Sequence, residues 1–286
     1  MTKDPSVDGD GSIGIFDSGV GGLSVLKQIH TIMPYENLVY FADQQHVPYG
    51  PRSDSEVQRF SLEISRFLIG LGAKIIVVAC NTASAAALEY LRETLPDIAF
   101  VGMEPAIKPG AVETQNGRVG VLATVGTFDS RRYASLMTRF AREITIYEDS
   151  CPGLVEQIEA GELDSRETRI ILSRALSPML REDVDTLILG CTHYPFVLPL
   201  IEEIAGPKVT VIDPAPAVAR QSQRVLLEQN LLNSSSRRGK TMAYSTAKHK
   251  TEPKAKYKNL ASMIQTLLGS LMPVRQATWS SGKLSS

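Results

Sequence analysis

Strand-length apolar runs recur along the chain: residues 13–17, Leu38 to Phe41, Ile75 to Ala79, Ile98 to Gly102, Val119 to Ala123, Ile144 to Ile146, Thr186 to Leu189 and Val209 to Ile212. Between them apolar residues return every three or four positions, as in Val57, Phe60, Ile64, Phe67, Leu68 and Leu71. The first pattern predicts strands buried on both faces, the second amphipathic helices. Helices are predicted over Leu23 to Met33, 54–71, Leu88 to Leu95, Phe128 to Arg142, Leu154 to Ala160, Ser165 to Leu180, Ala217 to Leu227 and Leu260 to Leu271. Strands alternating with helices predict an α/β fold built on parallel sheets.

Two of the runs read as one motif written twice. Ile75-Ile76-Val77-Val78-Ala79-Cys80-Asn81-Thr82 and Thr186-Leu187-Ile188-Leu189-Gly190-Cys191-Thr192-His193 each end in a small residue, a cysteine and two hydrogen-bonding side chains. An acidic-Pro-Ala element follows each at similar distance, Glu104-Pro105-Ala106 and Asp213-Pro214-Ala215. Another short strand precedes each, ending at Asp17 in one half and Thr124 in the other. This repeat predicts two pseudo-symmetric, doubly wound α/β domains with the site in the cleft between them. Residues 13–104 plus 213–286 are expected to form a discontinuous first domain and 105–212 the second. A disordered extension is expected over 1–12.

Composition narrows the classes without choosing among them. The chain has 286 residues, 43% hydrophobic and 21% charged, with net charge −1. That balance predicts neither nucleic acid nor an anionic membrane as a partner. The polar start and the lack of a long apolar run predict no secretory signal or membrane span, hence a cytoplasmic protein. Three cysteines do not describe a disulfide framework. From Asn233 to Lys258 the sequence turns polar and basic, reading as a solvated loop, and the tail from Thr278 reads as frayed.

Thiols at equivalent strand ends suit acid-base work from two sides of one ligand. One thiolate can take a proton from a carbon while the other thiol returns one to the opposite face, which inverts a stereocentre. Asp17 beside Cys80 and His193 beside Cys191 fit as their partners. Ser18, Asn81, Thr82, Thr124 and Thr192 supply hydroxyls and amides for carboxylates and an ammonium. The glycines of Ser18-Gly19-Val20-Gly21-Gly22 would let a small ligand approach the backbone. Cys151 has no counterpart in the repeat and reads as an ordinary thiol.

Four segments carry a more specific likeness: Phe16-Asp17-Ser18-Gly19-Val20-Gly21-Gly22-Leu23, Pro48-Tyr49-Gly50, Cys80-Asn81-Thr82-Ala83-Ser84 and Leu189-Gly190-Cys191-Thr192-His193-Tyr194-Pro195. Together they resemble the bacterial glutamate racemases of the aspartate/glutamate racemase superfamily. The resemblance implies interconversion of L- and D-glutamate without pyridoxal phosphate, other cofactor or metal, supplying D-glutamate for peptidoglycan. It implies that Cys80 deprotonates the D-enantiomer and Cys191 the L-enantiomer, assisted by Asp17 and His193. It assigns substrate binding to Asp17, Ser18, Tyr49, Gly50, Asn81, Thr82, Thr192 and His193, and it admits a homodimer. Glu159 aligns with an acidic residue near the family's site, its role open. Three alternatives stay in view: an aspartate racemase, a single-cysteine amidase-like hydrolase using Cys80 and His193, and a zinc protein using Cys80, Cys191 and His193.

Overall fold

The computed structural model describes residues 10–247 and 258–286. The expected disordered extension therefore lies outside the described residues up to residue 9, and Ser12 opens the first strand. The first part of the chain forms β1 (Ser12–Asp17), α1 (Leu23–Ile32), β2 (Asn37–Ala42), α2 (Asp54–Gly70), β3 (Ala73–Val78), α3 (Asn81–Thr94), β4 (Ala99–Gly102) and α4 (Ile107–Glu113). The middle forms β5 (Arg118–Ala123), a short α5 (Val125–Phe128), α6 (Arg131–Phe140), β6 (Thr145–Asp149), α7 (Leu154–Glu159), α8 (Arg166–Arg181) and β7 (Thr186–Gly190). A 3-10 turn (Tyr194–Val197), α9 (Leu198–Ala205) and β8 (Thr210–Ile212) follow. The last part contributes α10 (Ala215–Glu228), β9 (Thr241–Ser245), α11 (Leu260–Leu268), β10 (Val274–Gln276), β11 (Thr278–Ser280) and β12 (Lys283–Ser285).

The described strands make one six-stranded sheet ordered β10-β9-β2-β1-β3-β4 and one four-stranded sheet ordered β6-β5-β7-β8. Every pairing within these two sheets is parallel. The internal repeat is thus topological: β2-β1-β3-β4 and β6-β5-β7-β8 have the same order, with the cysteine strands β3 and β7 in equivalent inner places. All residues of β1, β3 and β7 are buried, as runs covered by helices on both faces must be. No helix among the described residues is long and apolar enough to cross a membrane.

Local sequence sets the helix starts. Ser53 and Glu56 close a capping box at α2, and Ser165 caps α8. The helix expected from Phe128 to Arg142 is interrupted, because Ser130 adopts an extended backbone and its hydroxyl accepts from the Tyr133 amide to start α6 afresh. The stretch read as a solvated loop contains β9, which adds to the β2 edge with Leu38 opposite Thr241 and Ala42 opposite Ser245. Its basic residues Lys248, Lys250, Lys254 and Lys256 lie outside the described residues. The tail read as frayed is instead an antiparallel hairpin pairing Trp279 with Leu284.

Candidate active site

Each cysteine stands at the carboxyl end of an inner parallel strand, where the sheet's last carbonyls meet a helix start. Cys80 follows β3 with an extended backbone and caps α3, its Sγ accepting from the Ala83 amide at 3.4 Å. Across the sheet, β1 pairs with β3 in register, and the Ala79 amide donates to the Phe16 carbonyl at 2.8 Å. Asp17 therefore ends beside Cys80. In the second sheet Ala123 lies opposite Gly190, so Thr124 stands across from Cys191, whereas Asp17 stands one position short of Cys80.

The two thiols differ in what surrounds them. Burial pushes the Cys80 thiol well above its ordinary pKa, and the nearby Asp17 carboxyl adds to that, while amide hydrogen bonds from Ala83 and Ser18 pull the other way. Cys191 instead lies 3.8 Å from Nδ1 of His193. Nε2 of His193 is 2.7 Å from Oε1 of Glu159, which is wholly buried. Burial alone would hold His193 neutral, but its hydrogen bonds to Cys191 and Glu159 outweigh that and raise its pKa well above the usual value. Asp17 is raised by burial, a shift reduced by the His193 charge and by the Thr192 hydroxyl, which donates to its Oδ2 at 3.0 Å.

Glu159 also accepts from the Val20 amide at 2.7 Å, so the glycine-rich turn is occupied by a carboxylate of the protein itself. A Cβ on Gly19 would overlap Oε1 of Glu159, and one on Gly21 would sit 2.5 Å from Nδ1 of His193. The expectation that these glycines admit a ligand to the backbone is corrected: they admit the α7 carboxylate and the β7 imidazole. Glu159 is the site residue whose part sequence reasoning left open. The available signal was its place on the buried stripe of α7 with Leu154, Val155 and Ile158.

Both sulfurs line one small cleft of about 20 Å³, together with Ser18, Tyr49, Gly50, Asn81, Thr82, Thr192 and His193. Asp17 lies directly behind this wall, accepting from the Ser18 hydroxyl at 3.0 Å. The structure thus brings all the predicted site residues together. Thr124 joins them, its hydroxyl 2.9 Å from that of Thr82 and 3.1 Å from that of Thr127, a residue the sequence did not single out. Asn81 is 4% exposed, and among the described residues neither its Oδ1 nor its Nδ2 has a partner. Two such buried polar atoms facing a cleft are costly unless a ligand takes them up. Cys151, buried and not among the cleft residues, is pushed upward by its own burial and by Asp149. Among the described residues no group of three or more His, Cys, Asp or Glu side chains is arranged to hold a metal.

Comparison with known proteins gives consistent matches. The family model described as Asp/Glu/Hydantoin racemase matches residues 13–222. A glutamate racemase of Pseudomonas aeruginosa is 53% identical over 223 residues, covering 78% of this chain and 84% of the relative. The crystal structure of a Bacillus anthracis glutamate racemase isoform, RacE1, superposes with a TM-score of 0.80 at 34% identity, covering 96% of this chain and 98% of that one. A Francisella tularensis glutamate racemase solved in complex with D-glutamate gives 0.78 at 31% identity, covering 95% and 98%.

Proposed function

The chain belongs to the Asp/Glu/Hydantoin racemase family and is an isomerase, and from that premise we propose that it interconverts L- and D-glutamate with Cys80 and Cys191 as its two bases. The observation that carries the proposal is the pair of sulfurs at topologically equivalent strand ends, both lining one cleft. Glutamate as substrate is supported by the relatives at about half identity, which are glutamate racemases. The product's use is peptidoglycan synthesis.

In the L-to-D direction the Cys191 thiolate removes the α-proton and the Cys80 thiol delivers its own to the opposite face. Cys191 ends the step as thiol and Cys80 as thiolate, the protonation that the reverse reaction requires. Burial favours the neutral thiol at Cys80, the form that donates. His193, its charge held by Glu159, exchanges the proton of Cys191 and offsets negative charge building up on the substrate. Asp17 serves as the proton-exchanging partner beside Cys80, without the cationic role that His193 has. Asn81 and Thr82 on one side, Ser18, Tyr49 and Gly50 beside them, and Thr192 opposite hold the substrate's carboxylates and ammonium. A cleft of about 20 Å³ holds little more than one water molecule. Admitting glutamate therefore requires this cleft to widen.

Proton NMR of the purified protein with L-glutamate in heavy water tests this reading. The α-proton signal should disappear as D-glutamate accumulates, with aspartate exchanging far more slowly under the same conditions. An unchanged glutamate signal from folded protein contradicts it.

A further inference from the structure

Behind the cleft wall lies a second polar cluster centred on Asp43, which is wholly buried just after β2. Its Oδ2 accepts from the Tyr49 hydroxyl at 2.7 Å and lies 2.8 Å from Nδ1 of His46. Its Oδ1 accepts from the Thr246 hydroxyl and from Nε1 of Trp279, each at 2.8 Å. Its amide donates to the Asp17 carbonyl at 3.0 Å. One side chain therefore ties together the turn behind Asp17, the cleft loop, the end of β9 and the C-terminal hairpin.

Trp279 is held at this point on three sides. Its ring meets the edges of His46 (centroids 5.2 Å apart) and Phe60 (5.7 Å), and His46 in turn stacks on Phe60 at 4.0 Å. Two residues before it, the buried Ala277 donates from its amide to the Ser245 carbonyl at 2.8 Å. Beside the ring a pocket of about 270 Å³ opens between the hairpin and α2, while Trp279 and Leu284 pack against the core around Phe60, so directed contacts and packing together set the seat. A tail that served only to cover the sheet edge would not need its indole N–H aimed at a buried carboxylate.

We propose that the C-terminal hairpin is a positioning element of the reaction site, in which Trp279 acts through Asp43 to fix the Tyr49 hydroxyl and hence the Pro48-Tyr49-Gly50 wall of the substrate cleft. The inference rests on the racemase reading above. Tyr49 touches the cleft, whereas Trp279 and Asp43 act through it. Loss of the indole donor leaves Asp43 with three partners and lets the loop sample other positions, which weakens substrate binding more than it slows proton transfer.

Trp279→Phe keeps an aromatic ring against His46 and Phe60 and removes only the donor. It should raise KM for glutamate by about 3- to 10-fold with kcat within about 2-fold, a split that mere loss of folded protein does not produce. Tyr49→Phe should do the same, and the double variant should be no worse than the more affected single one, because both cut the same connection. Trp279 is the chain's one tryptophan, so its emission reports on the hairpin directly. Titration with glutamate should change that emission saturably in the wild type and leave it flat in Tyr49→Phe. A wild-type KM in Trp279→Phe, or additive effects in the double variant, overturns the proposal while leaving the racemase reading intact. Folded wild type that exchanges no α-proton overturns the racemase reading, and this inference with it.

Discussion

The Cys80 end and the Cys191 end share an inner strand position within a common four-strand order, yet they handle charge in opposite ways. At Cys80 a carboxylate, Asp17, lies on the neighbouring strand one position short of the sulfur, and a carboxylate beside a buried sulfur favours the thiol. At Cys191 the residue across the sheet is Thr124, which carries no charge, and the charge comes from further along the chain, through His193 and the Glu159 it is bonded to. Similar backbones thus hold one sulfur among acids and the other beside a cation. Topological symmetry supplies two faces, and the broken symmetry of the side chains gives each face its own proton chemistry.

The largest expected effect comes from removing either sulfur. Cys80→Ser and Cys191→Ser should each lower racemisation by about 10² to 10⁴-fold, the usual contribution of a positioned acid or base, as read by circular dichroism of the glutamate pool. A variant that kept normal turnover would leave only one end of the comparison chemically active.

Glu159→Gln sharpens the comparison by making the second end less cationic. Activity should fall about 10- to 100-fold, as expected for a residue that orients a working imidazole. The carboxylate raises the His193 pKa, so its removal lowers that pKa, and any limb of the rate profile that tracks loss of the His193 proton should move to lower pH. For stability the raised pKa means that the pair contributes fully below about pH 6.5 and loses its contribution as pH climbs through the folded-state value. The stability gap between Glu159→Gln and the wild type should accordingly be widest in mild acid and narrow in alkali. A gap that widened with pH would contradict the ion pair.

How much of this was legible in the chain depends on how local each contact is. Cys80, Asn81 and Thr82, like Cys191, Thr192 and His193, sit next to one another in sequence, so reading the strand ends was enough to find them. Glu159 reaches Val20 across 139 positions, and no spacing rule points over that distance. What could be read was its place on the buried face of α7 and its alignment with an acidic residue near the family's site, neither of which names His193 as its partner. Strand β9 escaped because Thr241 to Ser245 is short, mildly apolar and set in a polar stretch, and only its register against β2 makes it a strand. Asp43 and the hairpin escaped for the same reason: Trp279 meets its carboxylate 236 positions away.

Gly19→Ala tests the close approach of the two halves directly. Its Cβ would displace Glu159 from the Val20 amide, and a rearrangement of that kind typically costs about 1 to 3 kcal/mol, which urea unfolding would measure. Activity should fall with it, since Glu159 and His193 move together. An unaffected variant would mean that the glycine turn does not seat Glu159.

The smallest expected effect runs against activity. Asp17 has its pKa raised chiefly by burial, so its ionised form costs stability once pH exceeds the unfolded value of about 4. Asp17→Asn removes that cost and should stabilise the fold by about 1 kcal/mol at neutral pH while impairing turnover, a stability gain bought with function. Destabilisation at neutral pH, with the difference vanishing in acid, would show that the ionised carboxylate is instead favourable in the fold.

The central claim, one base on each face, is tested most directly by halide release from the two enantiomers of β-chloroglutamate. Elimination requires removal of the α-proton by one base and no reprotonation from the other side. Cys80→Ser should release chloride from the L-analogue through Cys191, and Cys191→Ser from the D-analogue through Cys80, each variant leaving the other enantiomer untouched. Equal release from both enantiomers by either variant would contradict the assignment of one cysteine to each face.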